Sequence, residues 1–430
     1  MRALMSESAR AREPERASAR RARRGAPNDA TSTRERGDDS KRARRERFFA
    51  LAFAFAWIAI VYAGERRSHV LAQGRCSWPS PGEGAKVMVV ADPQLVDEHT
   101  YREFRRDPFA LSFVEAVCDA YVRRAMKTAM RLFSPDKIIF LGDLFGQGAR
   151  RDEGRWDELR RRVDAALLWP RDGDGSNHRT VVGNHDVGYS EVIRNHPNIL
   201  KRFEKWYGAS NFVERVGGAD FIGVNAMVLD GRGPDADDTW AFVESLRRDN
   251  ESEHSHMPRV LLTHLPLPNP SQKCGPSRQT AVIAGRTLGA HREIVYQDYL
   301  SGESAQRLLE AIEPELILSG HDHDQCEVTH SYASKVRGRD VSVKEITVGT
   351  VSALNGNDRP SYLMLTVSAA EKSEIIEHKL CLLPEIREVL KAYSRAGIFT
   401  ILIILGLPLG ELIQVAKNSA DRRSIGLHLR

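Results

Sequence analysis

Residues 137–143 read KIIFLGD, an apolar run that is followed by a glycine and an aspartate. A short apolar run of this kind predicts a buried β-strand. The glycine permits a sharp turn, so that Asp143 stands where the strand ends. The same order recurs in four other places: KVMVVA before Asp92, TVV before GNH (183–185), RVLLT before His264 and LILS before GH (320–321).

Segments of helical character lie between these strands. They cover roughly residues 113–133, 157–168, 191–207, 238–248 and 305–312. Strands that alternate with helices predict an α/β domain, whose active site forms at the carboxyl ends of the strands. Further β-type stretches at 326–330, 341–348 and 361–367 predict a second sheet. The sequence therefore predicts a two-sheet αββα sandwich.

The polar residues at the strand ends form one set of candidate metal ligands. The set contains Asp92, Asp143, Asn184, His264, His321 and His323, with His185 beside it. Taken singly, Asp143 could cap a helix and a lone His264 could lie at the surface. Taken together, carboxylate, amide and imidazole ligands without a thiolate suit Mn²⁺, Fe or Zn²⁺. Two cations that share one carboxylate are a standard means of hydrolysing phosphate esters.

The composition excludes several classes of protein. Of the 430 residues, 41% are apolar and 28% are charged, which excludes global disorder. Five cysteines are too few for a disulfide-rich miniprotein. Residues 1–47 contain fifteen Arg or Lys and eight Asp or Glu, a net charge of +7, whereas the whole chain carries +5. The remaining residues are therefore slightly acidic, and no nucleic-acid partner is expected.

Two apolar segments predict transmembrane helices on either side of the α/β domain. Residues 48–63 carry no charge, and the apolar run 397–410 lies in a second predicted span, residues 397–413. A cleaved signal peptide is the alternative for the first segment, although its basic region would be unusually long. A buried core helix is the alternative for the second. Basic residues flank both segments, so the positive-inside rule places both chain ends in the cytosol and the domain in a lumenal space.

The five motifs at the strand ends, in this order, resemble the signature of the calcineurin-like metallophosphoesterases. They read ADPQ (91–94), LGD (141–143), GNHD (183–186), THLP (263–266) and GHDH (320–323). The resemblance implies two divalent metal ions, with Mn²⁺ expected. Gln94 stands where many members have a histidine, which leaves its part in metal binding open.

The resemblance also implies a role for each residue of the candidate set. Asp143 would bridge the two metal ions. His185 would contact the phosphate and protonate the leaving oxygen without binding metal. The remaining residues would complete the two sites: Asp92 and His323 the first, and Asn184, His264 and His321 the second.

Longer matches resemble the membrane-bound group of this family that trims glycosylphosphatidylinositol (GPI) anchors. The matching segments are VADPQLVD (90–97), GY (188–189), CGP (274–276), GHDHDQCEV (320–328) and CLLP (381–384). The resemblance implies a phosphodiesterase that removes a side-branch ethanolamine phosphate from a mannose of the GPI glycan and so supports export of GPI-anchored proteins from the endoplasmic reticulum. The expected partners are the GPI glycan and a membrane of the early secretory pathway, and the oligomeric state is left open.

Two alternatives to this function remain. A membrane-tethered phosphoesterase could act on other lipid head groups or on phosphoproteins. A non-catalytic membrane adaptor could retain the fold. The predicted regions are the same in each case: a disordered basic cytosolic tail (1–47), a transmembrane helix (48–63), a linker (64–84), a lumenal metallophosphoesterase domain (85–385), a transmembrane helix (397–413) and a cytosolic tail (414–430).

A few residues near the motifs carry secondary hypotheses. The loop that follows His264, about residues 266–294, contains four basic residues: Lys273, Arg278, Arg286 and Arg292. It either influences substrate choice or is a solvated insertion with scattered charge. Asp186 is expected to orient His185, and both Asp322 and Asp324 are interpreted as solvated loop acids. Cys274 and Cys326 lie shortly after two ligand motifs, and they are a candidate disulfide pair if the domain is lumenal.

Overall fold

The protein is described by a computed structural model that covers residues 29–402, apart from 81, 83, 101–105, 171–176, 252–256, 283–284, 336, 369–375 and 392. The chain divides into two units, Met1–Ala59 and Ile60–Arg430. Both large sheets lie in the second unit.

The helices and strands follow one another in the alternating order that the sequence predicts. The helices are α1 (Asp29–Tyr62), α2 (Ser68–Gln73), α3 (Pro108–Phe133), α4 (Glu153–Leu167), α5 (Asn184–Val187), α6 (Ser190–Asn195), α7 (Asn198–Tyr207), α8 (Pro234–Glu251) and α9 (Gly302–Ile312). A π-helical turn, Ala63–Arg67, joins α1 to α2. Residues 386–391 and 393–402 are also helical, and we call them the C-terminal helix.

The strands form two large sheets and one small hairpin. The strands are β1 (Ala85–Val90), β2 (Lys137–Phe140), β3 (His178–Thr180), β4 (Phe212–Val216), β5 (Ala219–Gly223), β6 (Arg259–Leu262), β7 (Arg286–Leu288), β8 (Ile294–Gln297), β9 (Leu316–Ser319), β10 (Cys326–Ser334), β11 (Arg339–Thr347), β12 (Ser361–Val367) and β13 (Ile376–Leu382). The first sheet has the order β13-β12-β1-β2-β3, the second β10-β11-β9-β6-β5-β4, and β7 pairs with β8.

The two sheets pack face to face with helices on their outer sides. Alternate residues of a strand point to opposite faces. On β1, Val87 and Val89 lie in an apolar cluster with Val260 and Leu318 of the second sheet. Met88 and Val90 lie in the cluster that contains residues of α3. The predicted two-sheet α/β architecture is confirmed.

The assignment of strands to sheets differs from the prediction. The stretch 361–367 was expected in the second sheet, yet β12 pairs with β1 in the first sheet, with Met88 opposite Met364. Conversely, β6 and β9 belong to the second sheet, together with β10 and β11. The expected helix 191–207 is two helices, because Pro197 lacks the N–H that a continuous helix would need.

The N-terminal region also differs from the prediction. Residues 1–47 were expected to be disordered, whereas α1 begins at Asp29; residues 1–28 lie outside the described part of the chain. Arginine, alanine and glutamate favour helix, so the apolar helix extends backwards into the basic segment. The predicted linker 64–84 contains α2, whose His69 and Gln73 are buried.

One helix among the described residues, Arg44–Gln73, is long and apolar enough to cross a membrane. It includes the predicted span 48–63. Length and composition alone do not separate such a helix from a signal sequence. Of the second predicted span, 397–413, residues 397–402 are helical with Phe399 and Leu402 exposed, and residues 403–413 lie outside the described residues, as does the tail 414–430.

Candidate metal centre

The candidate ligands stand where the strands of both sheets end. Four of them have a positive backbone φ, which turns the chain sharply out of the strand: Asp92 (50°), Asp143 (50°), His321 (72°) and His323 (64°). Such backbone conformations are costly for residues other than glycine, and they concentrate at functional sites. Gly183 allows the next loop to approach, because a Cβ there would lie 2.1 Å from Asp143 Oδ1.

Asp143 lies at the middle of the site. Its Oδ2 is 3.3 Å from His264 Nε2, and the backbone N–H of His185 donates to its Oδ1 at 2.8 Å. Asn184 Oδ1 lies 3.1 Å from the same His264 nitrogen. Donor atoms of Asp143, His264 and His321 all fall within 4.8 Å of one another, which is a separation that one cation could bridge.

Backbone carbonyls fix the orientation of the two buried histidine rings. His264 Nδ1 lies 2.7 Å from the carbonyl oxygen of Leu141, and His321 Nε2 lies 3.0 Å from that of Gln297. A carbonyl accepts, so these nitrogens carry the protons. The other nitrogens, His264 Nε2 and His321 Nδ1, then face each other at 3.2 Å. Two lone pairs at this distance repel each other, so a proton or a cation must lie between them.

Asp92 and His323 form the other side of the site. His323 Nε2 is 3.7 Å from Asp92 Oδ1, and this oxygen has no hydrogen-bond partner among the described residues. Asp92 Oδ2 accepts the backbone N–H of His321 at 2.9 Å. His323 Nδ1 donates to the carbonyl oxygen of Asn355 at 3.0 Å, which leaves Nε2 as its ligand atom. An orphaned oxygen on a fully buried carboxylate fits a cation at this position.

His185 occupies the open side of the site. Its ring is 26% exposed, whereas the Asp143 side chain is 1% exposed, and its Nε2 lies 4.0 Å from Asp143 Oδ2. Its Nδ1 bonds the carbonyl oxygen of Gly146. The Nε2 atom is therefore the nitrogen that can exchange a proton with a molecule bound at the surface of the centre.

Burial and mutual charge shift the pKa values of these groups. Burial raises the pKa of Asp92 well above its usual range. Burial would also raise the pKa of Asp143, but His264 and His185 hold it below its usual range. Burial opposes a proton on His264, yet Asp143 raises its pKa to about 9. Burial and the charge of His264 lower the pKa of His321 to about 3. A divalent cation beside Asp92 would take the place of the proton that burial favours on this carboxylate.

Gln94 turns its amide nitrogen, and not its amide oxygen, towards the metal centre. Its Nε2 lies 2.9 Å from Asp143 Oδ2. In this orientation the amide nitrogen holds the central carboxylate, and an amide nitrogen has no lone pair for a metal ion. A ligand role for Gln94 would require rotation of its amide.

Three aspartates hold the ligand loops in place, and their contacts differ from the roles that the sequence predicts for them. Asp186 accepts the backbone N–H groups of Phe145 (3.1 Å) and Gly183 (2.9 Å), so it ties two ligand loops together and does not contact the His185 ring. Asp322 and Asp324 are not free loop acids, because both have partners in the loop after β6. Asp322 receives both terminal nitrogens of Arg278 at 2.8 Å, and Asp324 is 1% exposed.

Two residues of the site carried no signal in the sequence. Thr350 Oγ1 donates to the Asp92 carbonyl at 2.6 Å, and Asn355 Nδ2 donates to the same carbonyl at 3.1 Å. Both lie in the loop after β11, far along the chain from Asp92 and outside any motif. The pairing of β11 with β9 and of β12 with β1 brings this loop to the site.

Two disulfides link distant parts of the chain. The expected pair Cys274–Cys326 is confirmed, and it ties the loop after His264 to the start of β10. A second disulfide, Cys76–Cys381, joins the segment after α2 to β13. Cys118 is buried and unpaired.

The chain belongs to the calcineurin-like phosphoesterase family, which residues 85–325 match, more than half of the sequence. It is therefore a metal-dependent phosphoric ester hydrolase, and the family's fold implies divalent metal ions. Cell division control protein 1 of Saccharomyces cerevisiae is 28% identical over 75% of this chain and 66% of its own length. Metallophosphoesterase 1 of Rattus norvegicus is 28% identical over 84% of this chain and 90% of its own. The Drosophila melanogaster homologue of metallophosphoesterase 1 is 25% identical over 88% and 99%.

Proposed function

We propose that this protein is a dimetal phosphodiesterase that removes a side-branch ethanolamine phosphate from a mannose of GPI anchors, at the lumenal face of an early secretory membrane. The observation that carries the proposal is the set of ligand-type side chains on five strand ends, together with motifs that extend beyond the ligands. The CGP segment at 274–276 and the GHDHDQCEV segment at 320–328 are joined by the Cys274–Cys326 disulfide. The motifs that suggest the substrate are therefore adjacent to the metal centre.

The donor set supports specific roles for the side chains. In the proposal Asp143 would bridge two metal ions, and Asp92 and His323 would bind one of them. Asn184 would bind the other through its Oδ1, and His264 and His321 would bind it through the ring nitrogens that the backbone carbonyls leave free. Two bound cations would neutralise phosphate oxygens and acidify the attacking water, and Mn²⁺ suits this oxygen and nitrogen set. His185 Nε2, on the open side, would give a proton to the leaving oxygen of the mannose.

One observation favours this proposal over a non-catalytic adaptor, and an experiment separates it from other phosphoesterases. A non-catalytic adaptor would need none of the ligand geometry, yet backbone carbonyls fix the tautomers of His264 and His321. A phosphoesterase that acts on other lipid head groups or on phosphoproteins would share the metal centre. The substrate test below separates it from the GPI enzyme.

The test is the removal of ethanolamine phosphate from a defined GPI glycan. The full-length protein in detergent, loaded with Mn²⁺, would be incubated with a glycan that bears a mannose-linked ethanolamine phosphate, and mass spectrometry would follow the loss of that group. We expect loss with the wild type and none with Asp143→Ala, which removes the carboxylate between the two sites. Cleavage of a generic phosphodiester without loss from the glycan would refute the GPI substrate and retain the enzyme class.

A further inference from the structure

The N-terminal half of α3 reaches the edge of the first sheet that carries the metal centre, because Cys118 Sγ lies 3.6 Å from Ser352 Oγ in the loop whose Thr350 bonds the Asp92 carbonyl. β1 ends beside Asp92, and the chain then enters α3 at Pro108. At its other end α3 leads into β2, where the backbone N–H of Asp136 donates to the Lys86 carbonyl at 2.8 Å, near the start of β1. The helix therefore runs from the ligand-bearing edge, which we call the catalytic edge, to the opposite edge.

The C-terminal helix also leaves the domain at the catalytic edge. β13 and β1 are both antiparallel to β12, so β13 runs parallel to β1 and ends at the same edge. The backbone N–H of Leu383 donates to the Pro360 carbonyl at 2.8 Å. Arg387 of the C-terminal helix pairs with Asp358 at 3.0 Å. Asp358 belongs to the loop whose Asn355 carbonyl oxygen accepts a hydrogen bond from His323 Nδ1.

The N-terminal helical segment joins the same place. The Tyr393 hydroxyl of the C-terminal helix lies 3.5 Å from the Val61 carbonyl oxygen. Glu65 forms an ion pair with Arg124 of α3. Residues 61–65 and the C-terminal helix are thus neighbours, so the chain joins the domain after the first predicted membrane segment beside the helix that leads to the second.

Two large apolar side chains are exposed on the first turns of α3. Phe109 is 84% exposed and Phe113 is 64% exposed. Their i, i+4 spacing places them on one face of the helix. The β7–β8 hairpin, which follows the His264 motif at the same edge of the second sheet, exposes Leu288 (45%) and Val295 (54%). Exposed apolar side chains that share one face, as Phe109 and Phe113 do, mark surfaces that contact a partner or a membrane.

We infer that the catalytic edge faces the bilayer in which the chain's own apolar segments lie, and that Phe109 and Phe113 enter the headgroup region of that bilayer. The inference rests on the membrane attachment in the proposed function. The occupant of the apolar surface is a lipid surface, because both segments that lead to the membrane leave the domain from this edge. Aromatic side chains on one helix face are suited to the boundary between head groups and acyl chains. The site then takes phosphodiesters that are anchored in the same leaflet.

The first experiment measures the depth of α3 in the membrane. Full-length Phe109→Cys, Phe113→Cys and Leu132→Cys variants, each carrying an environment-sensitive fluorophore, are reconstituted in phosphatidylcholine nanodiscs that contain a lipid-borne quencher. Leu132 is the matched control, because it is 45% exposed on the same helix about 35 Å from Phe109. The native Cys118 should remain unlabelled, because burial raises the pKa of its thiol to about 11.

We expect at least threefold stronger quenching at positions 109 and 113 than at position 132. Equal quenching at both ends of α3, or quenching at 132 alone, would overturn the inference. A signal at 109 and 113 that depends on protein density and not on the quencher would also overturn it, because a second copy of the chain would then cover the surface.

The second experiment separates orientation from substrate identity. Phe109→Ser combined with Phe113→Ser is assayed on a GPI glycolipid in vesicles and on the same glycan released from its lipid. We expect about a tenfold lower rate on the vesicle substrate and an unchanged rate on the free glycan. An equal fall on both would overturn the inference. If neither GPI substrate is cleaved by the wild type, the proposed function fails while the quenching result still decides the orientation.

Discussion

The His185 ring is 26% exposed, about as much as the His323 ring at 27%, and its Nδ1 is held by the carbonyl oxygen of Gly146, so that its Nε2 has room to meet a substrate. His185→Ala should therefore keep the metal ions and lose proton transfer. We expect a rate about 10²–10⁴-fold lower on a sugar phosphodiester, whose leaving group needs a proton. Metal content by atomic emission and turnover by mass spectrometry measure the two effects separately.

A substrate with a better leaving group provides the control for His185. p-Nitrophenolate leaves without protonation, so a p-nitrophenyl phosphodiester should lose much less rate in the variant than the sugar diester does. Equal losses on both substrates, with the metal retained, would contradict a general-acid role and would favour phosphate binding by His185.

His178 is a buried histidine outside the metal centre, and we expect it to make the folded state less stable as the pH falls. It is 5% exposed, it packs between Phe140 and Trp169, and neither ring nitrogen has a hydrogen-bond partner among the described residues. Burial, with the nearby charge of Lys137, lowers its pKa to about 4. The unfolded chain has a histidine pKa near 6.5, so it binds the proton more readily than the folded chain as the pH falls.

The contribution of His178 to stability should therefore be complete above pH 6.5 and decline between pH 6.5 and 4. Between pH 7.5 and 5 the loss amounts to about 2 kcal/mol. His178→Gln, which cannot titrate, should show a smaller fall in thermal midpoint over this range than the wild type, by a few degrees. The exposed His291→Gln variant is the control and should behave as the wild type does. A His178→Gln profile parallel to that of the wild type would contradict the prediction.

At the level of elements, the loop after β6 is fastened to the loop that carries His321 and His323. Arg278 donates two hydrogen bonds of 2.8 Å to Asp322. Asp324 accepts the backbone N–H groups of Gln279 (2.9 Å) and Thr280 (2.7 Å). The Arg278 side chain is only 6% exposed. Its charge is therefore engaged by Asp322, which argues for a positioning role in place of the substrate contact that the sequence suggested.

A double-mutant cycle distinguishes these two roles of Arg278. If it positions the ligand loop, Arg278→Ala should weaken Mn²⁺ binding about 10–100-fold, and adding Asp322→Ala should cost little more. If it contacts substrate, KM should rise in Arg278→Ala with Mn²⁺ affinity unchanged. Titration of Mn²⁺ by calorimetry, beside the steady-state parameters, gives both readouts. Additive losses of metal affinity would contradict the positioning role.

The sequence predicts local features of this site well and long-range ones poorly. The strand ends at Asp92, Asp143 and His264 follow from short apolar runs, because a buried strand needs only its own residues to be recognised. The hydrogen bonds of Asp322 and Asp324 join them to partners more than 40 positions away, and no periodicity in the sequence indicates such pairing. The place of β12 beside β1 is a long-range pairing of the same kind. Both errors arise where tertiary contacts, and not local pattern, determine the environment.

At the level of the whole molecule, we expect one disulfide to act mainly on stability and the other mainly on the metal centre. Cys76–Cys381 joins positions 305 residues apart, and Cys274–Cys326 joins positions 52 residues apart. Closing the longer loop restricts the unfolded chain more, by about 1–2 kcal/mol in the chain-entropy treatment. The longer bridge also ties the segment after α2 to β13, whereas the shorter one lies beside the His321 and His323 loop.

We therefore expect separable consequences from removing each bridge in the full-length protein. The Cys76→Ser, Cys381→Ser double variant should lower the thermal midpoint more than the other double variant does, because it loses about 2–5 kcal/mol of the free energy of unfolding. Its Mn²⁺ affinity in the folded state should stay close to that of the wild type. Cys274→Ser with Cys326→Ser should lower Mn²⁺ affinity, because it loosens the loop that Asp322 and Asp324 hold. Thermal unfolding and Mn²⁺ titration of both variants, each retaining the buried Cys118, measure the two effects. A larger loss of metal affinity in the Cys76/Cys381 variant would mean that the metal centre depends on the closure of the whole domain and not on the local bridge.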